Sequence, residues 1–266
     1  MNYTSRFNLE FNPFIKNTKE ILVETTAYKE TKVRLDYLLQ TKGIGLLTGD
    51  PGCGKTTIIR NWISTLNKAA YKVIYLPLST LTVMESYRQL ASSLNLIPHY
   101  KKHENFSDIQ QAIKKLSYEK KITPIIIFDE ANYMSSGFLN DLKILLNFEM
   151  DSRDLAVAIL VGQPVLNTTL SLKNNEAIKQ RIITSYNIEN MSIEESERYI
   201  SEKLTTAGST IQIFNSAAIR AISSYSSGNP RVISRVCDLS LMIADRLGKN
   251  TIDEDVALKA VNEKEL

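Results

Sequence analysis

Two hydrophobic rhythms alternate along the first 190 residues: short unbroken apolar runs, and apolar positions recurring every three or four residues. In TAYKETKVRLDYLLQTKG, Tyr28, Leu35, Leu38 and Leu39 keep helical spacing, and Gly43 reads as the C-cap. IGLLTG follows as a short buried strand. After a glycine-rich turn, Ile58, Ile59, Trp62, Ile63 and Leu66 mark one face of a helix, and YKVIYLPL reads as a second strand. Helices are expected around 82–95 and 107–120. The second opens on a capping pattern, Ser107 with Gln110, and buries Ile109, Ile113 and Leu116. PIIIFDE is a third strand, followed by a helix carrying Phe138, Leu142, Leu145 and Leu146. LAVAILVG is a fourth strand and SYNIEN a weaker fifth. Strands that are apolar nearly throughout, alternating with helices, predict an α/β fold whose parallel sheet is covered on both faces.

The pattern changes near Met191. Ser192 and Glu195 form a capping box, and only helices follow, at about 192–206, 215–226, 230–247 and 253–263. A shift without a linker predicts two domains. Residues 1–190 form the α/β domain, with 1–42 as its N-terminal segment and first helix, and residues 191–266 form a small all-helical domain.

Composition narrows the class. Hydrophobic content of 43% and charged content of 23% are ordinary for a soluble globular protein. Cys53 and Cys237 lie far apart and suggest neither a disulfide framework nor a zinc site, which fits a reducing cytoplasm. The longest apolar runs are strand-sized, and the start, MNYTSRFNLEFNPF, lacks the basic and apolar regions of a signal peptide. A cytoplasmic protein without a membrane partner is expected. A net charge of +3 permits contact with nucleic acid without arguing for it.

Chemistry concentrates in two stretches. GDPGCGKT, from Gly49 to Thr56, fits G-x-x-x-x-G-K-[ST] and lies between a strand and a helix, the context this motif requires. Gly49, Asp50, Pro51, Gly52, Cys53, Gly54, Lys55, Thr56 and the adjoining Thr57 are therefore the candidate nucleotide-binding residues. Backbone N–H groups and the helix N-terminus can cradle phosphates, Lys55 can reach the β- and γ-phosphates of ATP, and the Thr56 hydroxyl can ligate Mg²⁺. The Cys53 thiol sits where a helix N-terminus can lower its pKa, but a small residue fitting the loop is the simpler reading. IIIFDE then carries two carboxylates to the C-terminal edge of the sheet, where ligands bind in open α/β folds. Asp129 would hold the Mg²⁺ water shell and Glu130 would orient and polarise the attacking water. An acidic strand end capping the next helix is the alternative.

A P-loop, an acidic strand end, a fourth strand ending in a polar residue and a helical lid together resemble an AAA+ ATPase. The resemblance implies a P-loop NTPase with a five-stranded parallel sheet flanked by helices and a C-terminal lid. It makes Gln163 in LVGQP the sensor that contacts the γ-phosphate or the attacking water, with a turn residue before Pro164 as the alternative. It makes Arg181 in IKQRI an arginine finger reaching a neighbouring subunit's nucleotide, with a solvated or ion-paired arginine as the alternative. Lys179 is the weaker candidate, since an ammonium cannot make the bidentate contact. In GNPR, Gly228 reads as a C-cap and Pro230 as a first-turn proline. The resemblance places Arg231 in the second sensor position, touching the γ-phosphate, with Arg235 as fallback and a carboxylate-paired arginine as the alternative.

The order NPF, TGDPGCGKTT, FDEANYM, LLNFEMDSRD, LVGQPVL, QRI and GNPR resembles the ExeA-type family within AAA+. Short members are similar to the TniB, TnsC, IstB and MuB transposition subunits. This implies an ATP-dependent DNA-binding ATPase that assembles on duplex DNA as a homo-oligomeric ring or helical filament and hands a target to a DDE transposase. Asn132 departs from the Asp-Glu-Ala-His pattern common in that family. Long ExeA proteins, secretion ATPases with a membrane helix and a periplasmic domain, are one alternative; this chain ends soon after its lid. An ATP-binding switch that does not act on DNA is another. DNA contacts are expected between the second and third strands, at Thr80, Thr82, Arg88, Lys101, Lys102 and His103, and at Lys114, Lys115, Lys120 and Lys121. Each can equally belong to a solvated face. Binding would be largely non-specific, ATP-dependent and salt-sensitive.

Overall fold

The computed structural model describes residues 3–264. Its elements in chain order are α1 (Tyr3–Arg6), α2 (Thr26–Thr41), β1 (Gly43–Gly49), α3 (Lys55–Thr65), β2 (Tyr71–Leu76), α4 (Val83–Ser93), α5 (Lys102–Lys114), β3 (Thr123–Phe128), α6 (Ser136–Leu145), β4 (Val157–Gly162), α7 (Val165–Ser171), α8 (Glu176–Lys179), β5 (Ile182–Ile188), α9 (Ile193–Thr206), α10 (Ser216–Ser226), α11 (Pro230–Arg246) and α12 (Glu254–Lys264). The chain groups into two compact units. One comprises Glu30–Pro51 and Lys55–Ile188; the other comprises Met1–Lys29, Gly52–Gly54 and Glu189–Leu266.

In the first unit the strands form one five-stranded sheet in the order β2-β3-β4-β1-β5, every neighbouring pair parallel. β1 and β4 are buried at every position and β3 at all but its first, as their unbroken apolar sequences require of a sheet covered on both faces. Register aligns the strand ends that matter. Thr48 pairs with Gly162, which sets Gln163 level with Gly49. Phe128 pairs with Leu160, which brings Asp129 and Glu130 to the same edge. Ile109 and Ile113 of α5 and Phe138, Leu139, Leu142 and Leu145 of α6 are buried on this sheet.

Two expectations differ in this unit. The helix expected to start at Ser107 begins at Lys102, and Ser107 lies inside it. The cause is Asn105, fully buried, whose amide donates to the His99 and Lys101 carbonyls (2.9 and 3.1 Å) and accepts from His99 N–H (2.9 Å). That side chain fastens the helix start to the preceding loop and adds a turn. Gly43 opens β1 rather than capping the helix, its N–H donating to the Ala156 carbonyl at 3.0 Å.

In the second unit, α9 starts on the expected capping box. Ser192 accepts from Glu195 N–H at 3.1 Å, and Glu195 accepts from Ser192 N–H at 3.3 Å. Such caps are typically worth ~1 kcal/mol. The other Glu195 oxygen accepts from Thr26 N–H at 2.7 Å. The core joins Ile200, Phe214, Ile222, Ile233, Val236 and Leu241 to Phe7, Leu9 and Phe14 from the chain start. The NPF segment is fastened there too. Asn12 donates to Asp238 at 2.6 Å, and Lys203 donates to the Pro13 carbonyl at 2.8 Å. Residues 3–29 thus cluster with the C-terminal helices, whereas the sequence pattern counted them with the sheet. Three scattered aromatic and aliphatic residues show no periodicity until their partners, some 190 positions on, are known.

Gly228 has the positive φ (+72°) of a helix terminus, and a Cβ there would sit 1.9 Å from the Met191 carbonyl oxygen. Gly228→Ala is expected to cost about 2 kcal/mol, from left-handed strain and displaced backbone. An earlier urea unfolding transition with unchanged slope is the expected reading; an unshifted transition would show that the Met191 segment yields freely.

Candidate functional site

The P-loop leaves β1 at Gly49 and enters α3 at Lys55. Gly52 and Gly54 take φ of +89° and +101°, values that L side chains rarely adopt, so the loop can turn its N–H groups inward only with glycine there. A Cβ on Gly52 would also lie 2.7 Å from Asn229 Oδ1 and 2.9 Å from Arg231 Cβ. Asp50 and Pro51 are exposed, while Cys53 is buried with its thiol free of any disulfide. Lys55 is only 7% exposed, and its ammonium donates to the Gly49 and Asp50 carbonyls at 2.7 and 3.0 Å. A buried cation needs such acceptors, because desolvating it unpaired costs several kcal/mol. Thr56 and Thr57 follow in the first turn of α3, and the Thr57 carbonyl accepts from Asn61 at 3.0 Å.

Asp129 lies one residue beyond β3 and is 6% exposed. Its Oδ2 accepts from Thr56 Oγ1 at 3.3 Å and from the Tyr75 hydroxyl at 2.5 Å. Its Oδ1 accepts from Glu130 N–H at 2.9 Å, and its carbonyl accepts from the Ser79 hydroxyl. Burial first, then the bond to Asp129 and the negative charges of Asp129 and Glu130, push the Tyr75 phenol well above its ordinary pKa. It is therefore a fixed donor. Glu130 adopts the left-handed conformation (φ 52°, ψ 38°), a strain of about 1–2 kcal/mol for a residue with a side chain, and its carboxylate is exposed.

Beyond Glu130 a 3₁₀ turn, Ala131–Tyr133, carries Asn132 to the end of β4. Asn132 Oδ1 accepts from Gln163 N–H at 3.0 Å, and a Cβ on Gly162 would meet that oxygen at 2.8 Å. The position where the resembling family often has histidine thus ties the acidic strand end to Gln163. Beside it, Asn167 of α7 donates to Thr48 Oγ1 at 3.1 Å, and Thr48 donates to Asn187 at 3.0 Å. This hydrogen-bonded row lies at the ends of β1, β4 and β5, next to the P-loop.

These residues place a glycine-bent loop, a lysine, a hydroxyl–carboxylate pair and an exposed carboxylate on one sheet edge. The sequence profile of a family described as AAA domain matches residues 37–170, which include all of them. The chain belongs to the AAA domain family.

The chain is 29% identical to general secretion pathway protein A of Aeromonas hydrophila over 97% of its own length and 48% of that protein's. It therefore spans about half the length of the curated relative it matches. Among solved structures it is similar to Cdc6p from Pyrobaculum aerophilum, with a TM-score of 0.71 at 13% identity, covering 94% of this chain and 70% of that one. It is also similar to the Aeropyrum pernix ORC1 protein in complex with DNA, with a TM-score of 0.66 at 13% identity, covering 95% and 69%. At these identities the two structures speak for the fold alone, an AAA+ fold.

The arginines of this AAA domain protein stand as follows. Arg181 lies between α8 and β5, ion-paired with Asp151 and donating to the Lys143 carbonyl at 3.0 Å. Burial pulls its pKa below the ordinary arginine value. Lys179 donates to Ser171 at 3.0 Å. Arg231 is exposed on the first turn of α11. Its N–H donates to Asn229, the N-cap, at 3.1 Å and to the Gly52 carbonyl at 3.4 Å, all within one compact unit. Arg235 is exposed one turn on.

The residues proposed from sequence to touch DNA are partly committed elsewhere. Thr82 is the N-cap of α4 in a capping box with Glu85, whose pKa those hydrogen bonds lower. Thr80 is exposed, and Arg88 stacks over Tyr100 at 5.6 Å. Lys101 lies 3.8 Å from Glu104, and Lys102 pairs with Asp141 at 2.5 Å. His103, Lys114, Lys115, Lys120 and Lys121 are exposed. Among the described residues no helix is long and apolar enough to cross a membrane.

Proposed function

We propose that the chain binds ATP with Mg²⁺ at its P-loop and hydrolyses it, with Glu130 orienting and polarising the attacking water. The observation that carries this reading is the 3.3 Å approach of Thr56 Oγ1 to Asp129 Oδ2, which joins the turn after the P-loop to the end of β3 across the intervening β4. The donor set fits Mg²⁺: oxygen only, one hydroxyl and one carboxylate, the remaining positions left to water and phosphate. When bound, the ion offsets charge developing on the β- and γ-phosphate oxygens. Thr56 would ligate it directly and Asp129 through water. Lys55 would exchange the Gly49 and Asp50 carbonyls for phosphate oxygens. Gln163, oriented through Asn132, would contact the γ-phosphate or the water, and Arg231 the γ-phosphate.

Lys55→Ala is expected to weaken ATP binding about 100-fold, the scale of losing two charge-assisted hydrogen bonds to phosphate. Titration with a fluorescent ATP analogue, beside a thermal melt showing the variant folded, checks this. Retained tight binding would overturn the P-loop assignment.

For the wider role we infer an ATPase module of the secretion-pathway type. Similarity along 97% of this chain to general secretion pathway protein A supports it, and favours it over the transposition reading of the sequence. Neither the family nor these relatives speak for a DDE transposase. A second reading, an ATPase acting on duplex DNA, is supported by the exposed Lys114, Lys115, Lys120 and Lys121 and by the fold shared with the DNA-bound ORC1 structure. ATP turnover with and without duplex DNA separates them. DNA action requires stimulation that falls steeply between about 50 and 200 mM salt; the secretion reading requires none.

A further inference from the structure

We propose that Tyr75 is a positioning residue for the metal-site carboxylate, fixing Asp129 so that its Oδ2 faces the Thr56 hydroxyl. The inference rests on the ATP-binding reading above and adds a residue that the P-loop and acidic-strand motifs do not contain.

Register explains how a residue 54 positions away arrives there. Tyr75 of β2 pairs with Ile127 of β3. Side chains alternate along a strand, so residues 127 and 129 share a face, the face to which Tyr75 also belongs. Asp129 N–H donates to the Leu76 carbonyl at 3.0 Å, which continues the ladder past the last strand residue. Tyr75 and Asp129 are then diagonal neighbours on parallel strands, roughly 8 Å apart at the backbone from the strand spacing and rise, and within reach of a long aromatic side chain. The phenol spans that gap and donates to Oδ2 at 2.5 Å.

Asp129 is consequently held from several directions. Oδ2 takes Tyr75 and Thr56, Oδ1 takes Glu130 N–H, and the backbone carbonyl takes Ser79. The terminal torsion of an aspartate is broad when nothing fixes it. Mg²⁺ tolerates little departure from octahedral geometry, so a carboxylate that swings loses part of its hold on the metal's water shell. Thr56 at 3.3 Å is a long contact, which makes the shorter phenol bond the main restraint on that oxygen.

Tyr75→Phe removes the hydroxyl and keeps the ring. Mn²⁺, observed by electron paramagnetic resonance, serves as the probe and is titrated into protein saturated with a non-hydrolysable ATP analogue. The variant is expected to bind Mn²⁺ about fivefold more weakly, the scale of one net hydrogen bond. Its affinity for the analogue in EDTA should match wild type, and its melting midpoint should fall by only a few degrees, about the cost of one hydrogen bond. Equal or tighter Mn²⁺ binding by the variant overturns the inference. So does an equal loss of analogue affinity in EDTA, which would mean a general disturbance of the loop. A wild-type protein that binds neither analogue nor Mn²⁺ sinks the ATP reading itself, and this inference with it.

Discussion

Glu130→Gln is expected to lower the rate of ATP hydrolysis by about 10²–10⁴-fold, the usual contribution of a positioned base, while leaving ATP affinity unchanged. The substitution keeps side-chain size and the ability to hydrogen-bond, and removes only the basic oxygen. Glu130 suits the role because it is exposed, one residue beyond the buried Asp129, and held in a left-handed conformation that aims it away from the strand line. The neighbouring bond from Glu130 N–H to Asp129 Oδ1 belongs to the backbone and survives the change. Single-turnover hydrolysis and equilibrium binding, measured on the same preparation, check both halves. Near-normal turnover would put the base elsewhere, and a parallel loss of binding would make Glu130 a binding group.

Arg181→Ala is expected to lower turnover by about 10³-fold or more, the scale of an arginine finger, if Arg181 serves a neighbouring subunit as the AAA+ resemblance implies. Mixing it with Lys55→Ala should then restore activity that neither variant has alone. About a quarter of the interfaces in an equal mixture join an intact P-loop to an intact arginine. Within one chain Arg181 is engaged with Asp151 and the Lys143 carbonyl, so acting in trans requires Asp151 to be exchanged for phosphate. A role confined to that contact predicts something else: an earlier unfolding transition and no recovery on mixing.

The centre of the sheet was legible because β1, β3 and β4 are continuous apolar runs, while β5, partly buried only at alternate positions before its last residue, gave a weaker signal. The P-loop was legible because glycines, lysine and threonine fall in one stretch between a strand and a helix. Elements that depend on distant partners were not. The start of α5 is set by Asn105 bonding back to His99 and Lys101, a tertiary contact that outweighs the Ser107–Gln110 pattern. The short helices α7 and α8 have too few turns for a periodic signal. Phe7, Leu9 and Phe14 find their core among helices near the other end of the chain. At the candidate site, the P-loop and acidic-strand residues could be named in advance, but the bonds among them could not. Tyr75 reaches Asp129, and Asn132 reaches Gln163, only through the pairing of strands remote in sequence. The one available cue was a hydroxyl-bearing residue near the C-terminal end of a strand: Tyr75 in YKVIYLPL and Thr48 in IGLLTG.

Phosphate release by the purified chain at saturating ATP, followed with Mg²⁺ and with EDTA over a range of protein concentrations, tests the central claim most directly. The account predicts release that requires Mg²⁺ and disappears in Glu130→Gln. Tight ATP binding with no Mg²⁺-dependent release at any concentration would contradict it and leave a nucleotide-binding switch in place of an ATPase.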